Sequence, residues 1–494
     1  MADAPSAPTA SSGVASAEWL AGGPGGADRL AQLLPAALRG MAAGTAERGG
    51  PVPAGGPAAV AATLARTQSA DGLPRHGVGA EQALEEFSAL LAAGSADPGD
   101  PACAAHLHCP PLAVSVAADV VASALNPSMD SWDQAPVASE IEREFATGIA
   151  RLCYPDAARP DAVITSGGTE SNLLGLLLAR ESAVTRPVCG ANSHHSVARA
   201  AWLLGLPAPV VVPCVDDRMV PSALAEALAP LGAQAVVVAT AGTTNTGRID
   251  PLPEIAEICR RTGARLHVDA AYGGLALCSE TLRSRVAGLE LADSVALDLH
   301  KFGWQPVAAG VFAARGEADL QALTVRAEYL NADDDTEAGL PDLLGRSLRT
   351  SRRPDAFRMA VTLRALGTAG IGALVERCCA NASGVHAMVE DHPALRSWGE
   401  PGLSTVVFRP VAADGAAGEE LVAQVRRTLL EDGTAVIGRG SLPTGPDGEV
   451  QLWLKLTLLH PHTQPADYRA LLDAVATVAA DLRTSVTRES PVAS

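Results

Sequence analysis

From about residue 99 to 365 the chain alternates short apolar runs with helix-like stretches. The runs Ala162–Thr165, Pro209–Pro213, Ala235–Ala239, Arg265–Val268, Ser294–Leu297 and Ala308–Ala313 are four to six residues long. They predict strands of an α/β layer built around a mostly parallel sheet. In open sheets of that kind ligands sit beyond the carboxyl ends of the strands. Ahead of this region, residues 1–98 hold two helix-like stretches, Ala27–Ala43 and Glu81–Ala93, and a short segment Ala58–Thr67 inside a Gly/Pro-rich passage. Their apolar periodicity is too thin for an independent core, so this arm is expected to pack on something else, a second subunit being one option. Residues 366–494 predict a smaller C-terminal α/β domain from the strand Thr405–Phe408, the helix Glu419–Leu430, the strand Val450–Leu456 and the amphipathic helix Pro465–Leu482. Residues 1–15 and 486–494 read as disordered tails.

Composition narrows the class. The chain has 494 residues, 48% of them hydrophobic, which suits a globular protein of two or three domains. A formal charge of −18 and no strongly basic run argue against nucleic acid or an anionic membrane surface as partner. The nine cysteines form no CxxC pair and sit mostly in apolar segments, which points to a reducing, cytoplasmic setting. The first residues lack the features of a signal peptide, and no apolar run is expected to reach membrane-spanning length. The histidines show no HExxH-type spacing, so no metal is implied.

Candidate chemistry starts from the lysines. The chain uses arginine almost everywhere and keeps only Lys301 and Lys455. An arginine stays protonated, whereas a lysine amine can form a Schiff base. Lys301 follows the strand-like Asp293–His300, thirty-two residues after Asp269 in His267-Val-Asp-Ala-Ala-Tyr-Gly-Gly274. This pairing reads as a pyridoxal phosphate site, with Lys301 on the aldehyde and Asp269 against the pyridine nitrogen. Lys455 is the control: in Val450–Thr457 it falls opposite Val450, Leu452, Leu454 and Leu456, and reads as a solvated strand residue whose removal spares turnover. In Ile164-Thr-Ser-Gly-Gly-Thr-Glu-Ser-Asn172, Gly168 and Thr169 sit where a helix start offers amides to a phosphate, though for this motif alone a capped strand-to-helix turn is the better account. Thr243, in Ala241–Gly247, is a candidate contact to the cofactor edge, and Asp250 a candidate helix cap. Ala271 would lie flat against the ring, and His300 contact phosphate or substrate.

Taken together and in this order, SGGTESN, HHSV, AGTT, HVDAAYGG and DLHK resemble the group II pyridoxal phosphate-dependent decarboxylases of fold type I over about residues 100–370. The resemblance implies a large domain with a mostly parallel seven-stranded sheet, an N-terminal helical arm, a small C-terminal α/β domain, and a homodimer whose arms embrace the partner. It implies that His194 stacks on the ring, that Thr169 and Asp298 help hold the phosphate, that Asp269 pairs with the pyridine nitrogen and that Lys301 carries pyridoxal 5′-phosphate. Within the family, Ala105-His-Leu-His-Cys-Pro-Pro111, Ser128–Pro136, Tyr329-Leu-Asn331 and Ser351-Arg-Arg353 look most like bacterial L-2,4-diaminobutyrate decarboxylases. The expected reaction is decarboxylation of an L-amino acid to an amine and carbon dioxide. Lysine, ornithine, glutamate or an aromatic amino acid are alternative substrates, and an aldehyde-forming reaction is the alternative chemistry. Residues 331–353 contain no Tyr, unlike the mobile loop of the aromatic enzymes, which leaves His194, Tyr329 or water as proton donor. Asp333-Asp-Asp335 and Glu337 read either as a solvated loop or as acids steering a distal ammonium.

Overall fold

The structure, a computed structural model, describes residues 16–65, 72–324, 333–415, 417–444 and 448–489, with side chains 485–489, Asp333 and Asp335 left aside. Tyr329, Asn331 and the first fifteen residues therefore lie outside the described residues. The chain forms two compact units.

The smaller unit comprises the chain up to Cys103 with Ser123–Asn126 and Arg427–Val436. Its main feature is a helix pair, α1 (Gly26–Arg48) and α2 (Ala80–Gly94). They meet through small residues: Ala36, Gly40 and Gly44 recur one turn apart and are buried. A side chain on Gly40 would meet Glu85 O at 2.3 Å, and one on Gly44 would meet Ala89 O at 2.0 Å, so the contact requires glycine there. Arg48 closes the pair by donating to Ala92 O at 2.7 Å and pairing with Asp97 at 2.5 Å. Because small residues make the contact, the large ones face outward, and Leu38, Met41, Phe87 and Leu91 are exposed.

The larger unit holds a helix, α3 (Pro136–Cys153), and a seven-stranded sheet. The strands are β1 (Asp161–Thr165), β2 (Arg186–Gly190), β3 (Val210–Val212), β4 (Ala235–Thr240), β5 (Arg265–Asp269), β6 (Ser294–Asp298) and β7 (Gly310–Ala314). Their order is β1–β7–β6–β5–β4–β2–β3, parallel except for β7, which runs against both neighbours. Both faces are covered, as a parallel sheet requires. Val236 and Val238 pack with Leu176, Val197 and Ala200, whereas Val237 and Ala239 belong to the cluster of Ile149, Leu252 and Ile255. Helices α4 (Gly168–Glu181), α5 (Ser196–Leu203) and α6 (Leu252–Thr262), with α3 for Ile149, supply those partners. The acid expected to cap α6 does something else: Asp250 is buried and accepts from the amides of Met219 and Thr240, both at 2.8 Å, and from Asn192 at 2.9 Å.

Helix α7 (Asp355–Asp391) follows, broken at Gly367, where φ is 66° and ψ 171°. The expected domain boundary at 365/366 falls inside it. This helix is long and apolar enough to cross a membrane by length and composition, which corrects the expectation that no stretch reaches that length. Here Met359, Ile371, Leu374, Val375 and Cys378 join the core cluster. A second, antiparallel sheet runs β10–β11–β9–β8, from β8 (Leu395–Ser397), β9 (Thr405–Pro410), β10 (Val436–Pro443) and β11 (Val450–Thr457). Helix α8 (Gly418–Glu431) lies between β9 and β10 in the chain, and α9 (Arg469–Glu489) takes in residues 486–489, four residues of the expected C-terminal tail.

Candidate active site

A cavity of about 750 Å³ opens at the carboxyl ends of the parallel strands. Asp269 ends β5 and Asp298 ends β6, and Ser166–Thr169 follow β1. Since β7 runs the other way, Val307 and Ala308, just ahead of it, reach the same edge. Gly168, Thr169, His194, Asp269, Ala271, Asp298, His300 and Lys301 all line this cavity, so the structure gathers eight of the nine expected site residues.

Lys301 Nζ donates to Asp298 Oδ2 at 2.8 Å, and His300 Nε2 lies 3.5 Å from the same oxygen. Asp298 is buried, and its Oδ1 has no hydrogen-bond partner among the described residues. The carboxylate is thus the counterion of Lys301 here. His300 is fixed through Nδ1, 2.9 Å from Ala309 O.

Opposite lies a cradle that excludes side chains. A Cβ on Gly168 would meet the Ala271 Cβ at 2.9 Å, and one on Gly167, at φ +150°, would meet His300 Cε1 at 2.8 Å. Gly168 begins α4, a fourteen-residue helix whose first-turn amides have no intrahelical acceptor. Free amides and the positive end of the helix dipole at a groove of this kind suit a phosphate.

Asp269 is buried, with Oδ2 accepting from Asn172 Nδ2 at 2.7 Å and Oδ1 from the Ala271 amide at 3.1 Å. A buried carboxylate is costly unless bonded or paired with a cation. His194 Nδ1 lies 2.8 Å from Ser196 Oγ, and burial with His195 alongside holds its pKa below the usual imidazole range.

Three positions depart from expectation. Thr243 is fully buried and absent from the cavity wall; its hydroxyl donates to Asp217 Oδ2 at 2.5 Å, and its neighbour Thr244 lines the cavity instead. Lys455 is not a solvated residue. It is half-buried in the inner part of β11, where Trp453, Leu454, Leu456 and Thr457 are buried, and its Nζ donates to Thr244 O at 2.6 Å on the cavity wall and to Asn245 Oδ1 at 3.2 Å. Burial pushes its pKa down to about 8, with Asp217 opposing. Both lysines of the chain therefore face one cavity. His106 also lines it, with Leu107, and both hold left-handed backbone, φ 62° and 55°. Strain of that kind, of order 1–3 kcal/mol per residue, concentrates at functional sites. Burial, with Arg426, Lys455 and His108 nearby, lowers the pKa of His106. The signal for it was the His106–Pro111 segment, which the sequence tied to a subfamily without a role.

Strand-end geometry, glycine cradle, lysine and buried aspartate together fit the aldehyde, phosphate and ring nitrogen of a pyridoxal phosphate enzyme. Residues 65–411 match the family described as the pyridoxal-dependent decarboxylase conserved domain. An L-2,4-diaminobutyrate decarboxylase of Rhizobium meliloti (strain 1021) is 38% identical, covering 84% of this chain and 85% of the relative. Another, from Acinetobacter baumannii, is 33% identical, covering 81% and 84%. Among solved structures, the glutamate decarboxylase domain of diaminobutyrate-pyruvate transaminase and L-2,4-diaminobutyrate decarboxylase from Vibrio parahaemolyticus superposes with a TM-score of 0.80 at 27% identity, covering 94% of this chain and 98% of that one. The chain belongs to the pyridoxal-dependent decarboxylase family. It is a pyridoxal phosphate-dependent amino acid decarboxylase, with the fold type I architecture expected from its sequence.

Proposed function

We propose that the substrate is a diamino acid, L-2,4-diaminobutyrate, decarboxylated to the corresponding diamine. The observation that carries this is the identity of 38% and 33% to two enzymes of that name over more than four-fifths of the chain. In this reading Lys301 carries the cofactor, Asp269 faces the pyridine nitrogen, His194 and Ala271 cover the ring, and Gly168, Thr169 and the α4 amides hold the phosphate, with His300 beside it. Bound there, pyridoxal 5′-phosphate supplies an aldehyde for amine attachment and a protonated ring that accepts the electron pair left as carbon dioxide departs.

The protein's own groups do the rest. Asp298 Oδ2, 2.8 Å from Lys301 Nζ, holds the lysine's proton when the substrate amine takes its place. Lys455 anchors the α-carboxylate: an ammonium has three N–H donors, two are spent on Thr244 O and Asn245 Oδ1, and one remains. The Ser196 amide and hydroxyl both meet His194 Nδ1, so a neutral His194 carries its proton on Nε2, and it would act as proton donor only from its doubly protonated form.

A second reading has an observation of its own. Arg426, Arg439 and Lys455 line the cavity, while Asp269 and Asp298 are its only carboxylates among the described residues. Such lining favours a distal carboxylate, as in an acidic amino acid. Asp334 and Glu337 are exposed and offer a distal ammonium no built pocket. Comparing kcat/KM for diaminobutyrate, ornithine, lysine, glutamate and aspartate decides: preference for diaminobutyrate supports the first reading, preference for an acidic amino acid replaces it.

The proposal extends to a cytoplasmic homodimer without membrane or nucleic-acid partners. In support, α1 and α2 leave Leu38, Met41, Phe87 and Leu91 exposed, and Ile141, Phe145, Leu152, Phe357 and Val361 line a groove of about 830 Å³ between α3 and α7. All nine cysteines are free and eight are buried, in keeping with a reducing compartment. Sedimentation of the full chain as a monomer at micromolar concentration would contradict the dimer.

A further inference from the structure

Behind Asp269 lies a chain of buried polar side chains that do not line the cavity: Asn172, Ser196, His267 and Ser294 are 0, 1, 1 and 7% exposed. Asn172 Nδ2 donates to Asp269 Oδ2 at 2.7 Å and to Ser196 Oγ at 2.8 Å, and Ser196 Oγ lies 2.8 Å from His194 Nδ1. On the far side Asn172 Oδ1 is 2.9 Å from His267 Nε2, and His267 Nδ1 is 2.8 Å from Ser294 Oγ.

The donors in this chain follow by elimination. A carboxylate only accepts, so the Asn172 nitrogen must face Asp269 and its oxygen must face His267. His267 Nε2 therefore bears a proton. Burial drives the pKa of His267 down to about 4, with Asp269 opposing, so the ring is neutral and Nδ1 accepts from Ser294. With both Asn172 N–H groups committed, Ser196 spends its own hydroxyl proton on His194 Nδ1. One amide thus fixes a carboxylate on one side and an imidazole tautomer on the other. The site for the His267 ring is built: it stacks on Phe312 with centroids 6.0 Å apart, and a side chain on Gly175 would strike its Nδ1 at 2.7 Å.

We propose that Asn172 is a positioning residue that sets Asp269 and the tautomer of His194 together, and that His267 and Ser294 set the orientation of Asn172. This rests on the reading of Asp269 and His194 as ring contacts. The test uses holoenzyme without substrate and reads cofactor affinity, from dialysis equilibrium, and the pH titration of the cofactor's visible band. Asn172→Leu removes a bond to a charged group, commonly about 1.5–3 kcal/mol, so cofactor affinity is expected to fall roughly ten- to hundredfold with a displaced titration. His267→Leu should reproduce part of this loss, and His267→Gln, which keeps an N–H donor, should restore most of it. Should Asn172→Leu not fold, Asn172→Asp, nearly the same shape, places a second carboxylate on Asp269 and is expected to loosen the cofactor as pH rises. Wild-type affinity and titration in the folded Asn172 variants would overturn the proposal, and His267→Gln behaving like His267→Leu would remove His267 from it. A wild-type protein with no visible cofactor band would instead count against the cofactor site itself.

Discussion

Replacing Lys455 by methionine keeps most of the side-chain volume and deletes one ammonium from the cavity wall. Two of its N–H groups bond Thr244 O and Asn245 Oδ1 at 2.6 and 3.2 Å, leaving one for a substrate carboxylate. A hydrogen bond to a charged group contributes about 1.5–3 kcal/mol, so KM should rise roughly ten- to hundredfold. kcat should not fall in proportion, since the carboxylate loses its charge as carbon dioxide departs and the contact weakens from ground state to transition state. The pH dependence follows from a pKa lowered to about 8: wild-type KM should stay flat below pH 8 and climb above it as the ammonium deprotonates. Lys455→Arg, whose guanidinium stays charged, should remove that climb. Unfolding driven by this group does not imitate the effect. The folded protein releases the proton near pH 8 and the unfolded chain near 10.5, so the unfolded state binds more protons in that window and stability rises with pH there. Initial rates of carbon dioxide release at several substrate concentrations, from pH 6.5 to 9.5 on the order of half-unit steps, provide the assay. A methionine variant with wild-type KM, or a wild-type KM flat through pH 9, refutes the carboxylate role.

Asp269→Asn should keep the fold and cut turnover at saturating cofactor by roughly ten- to hundredfold or more, because a neutral amide cannot hold the ring nitrogen's proton; near-normal rates would remove Asp269 from its role. Thr243→Val removes one of the two hydroxyls, Thr243 and Thr246 at 2.5 and 2.7 Å, that donate to a buried Asp217 oxygen, so thermal denaturation should show a loss of about 0.5–1.5 kcal/mol while cofactor affinity holds; weakened cofactor binding at unchanged stability would return Thr243 to the cofactor edge. Deleting residues 1–95 should expose apolar surface and cause aggregation, and a soluble, active monomer would contradict the proposed role of this arm in a dimer.

The sheet was legible where burial on both faces makes a strand uniformly apolar. Ala235–Ala239 and Ser294–Leu297 read directly as such runs, each one residue short of the strand formed. Arg186–Gly190 did not, because Pro187 and Gly190 are poor strand formers and only pairing with β4 on one side and β3 on the other makes the segment a strand. Lys301 and Asp269 were legible because a lysine in an arginine-rich chain and an acid ending an apolar strand each ask for a chemical reason. Lys455 was hidden by the period-two pattern of β11, which reports alternation but not whether the second face meets solvent or the turn at Thr244. Thr243 and Thr244 are alike in sequence, and only the buried acceptor Asp217 decides which one turns inward. The left-handed backbone of Leu107 carries no local signature, since leucine rarely adopts it, although His106 before it is of a type enriched there.

Because the chain has two lysines and both line one cavity, the identity of the lysine that carries the cofactor tests the account at its centre. Borohydride reduction of the holoenzyme fixes the cofactor on that lysine, and peptide mass spectrometry then reads the position. The account predicts a pyridoxyl group on the peptide containing Lys301, none on that containing Lys455, and no labelling after Lys301→Ala. A label on Lys455, or a reducible adduct that survives Lys301→Ala, would contradict it.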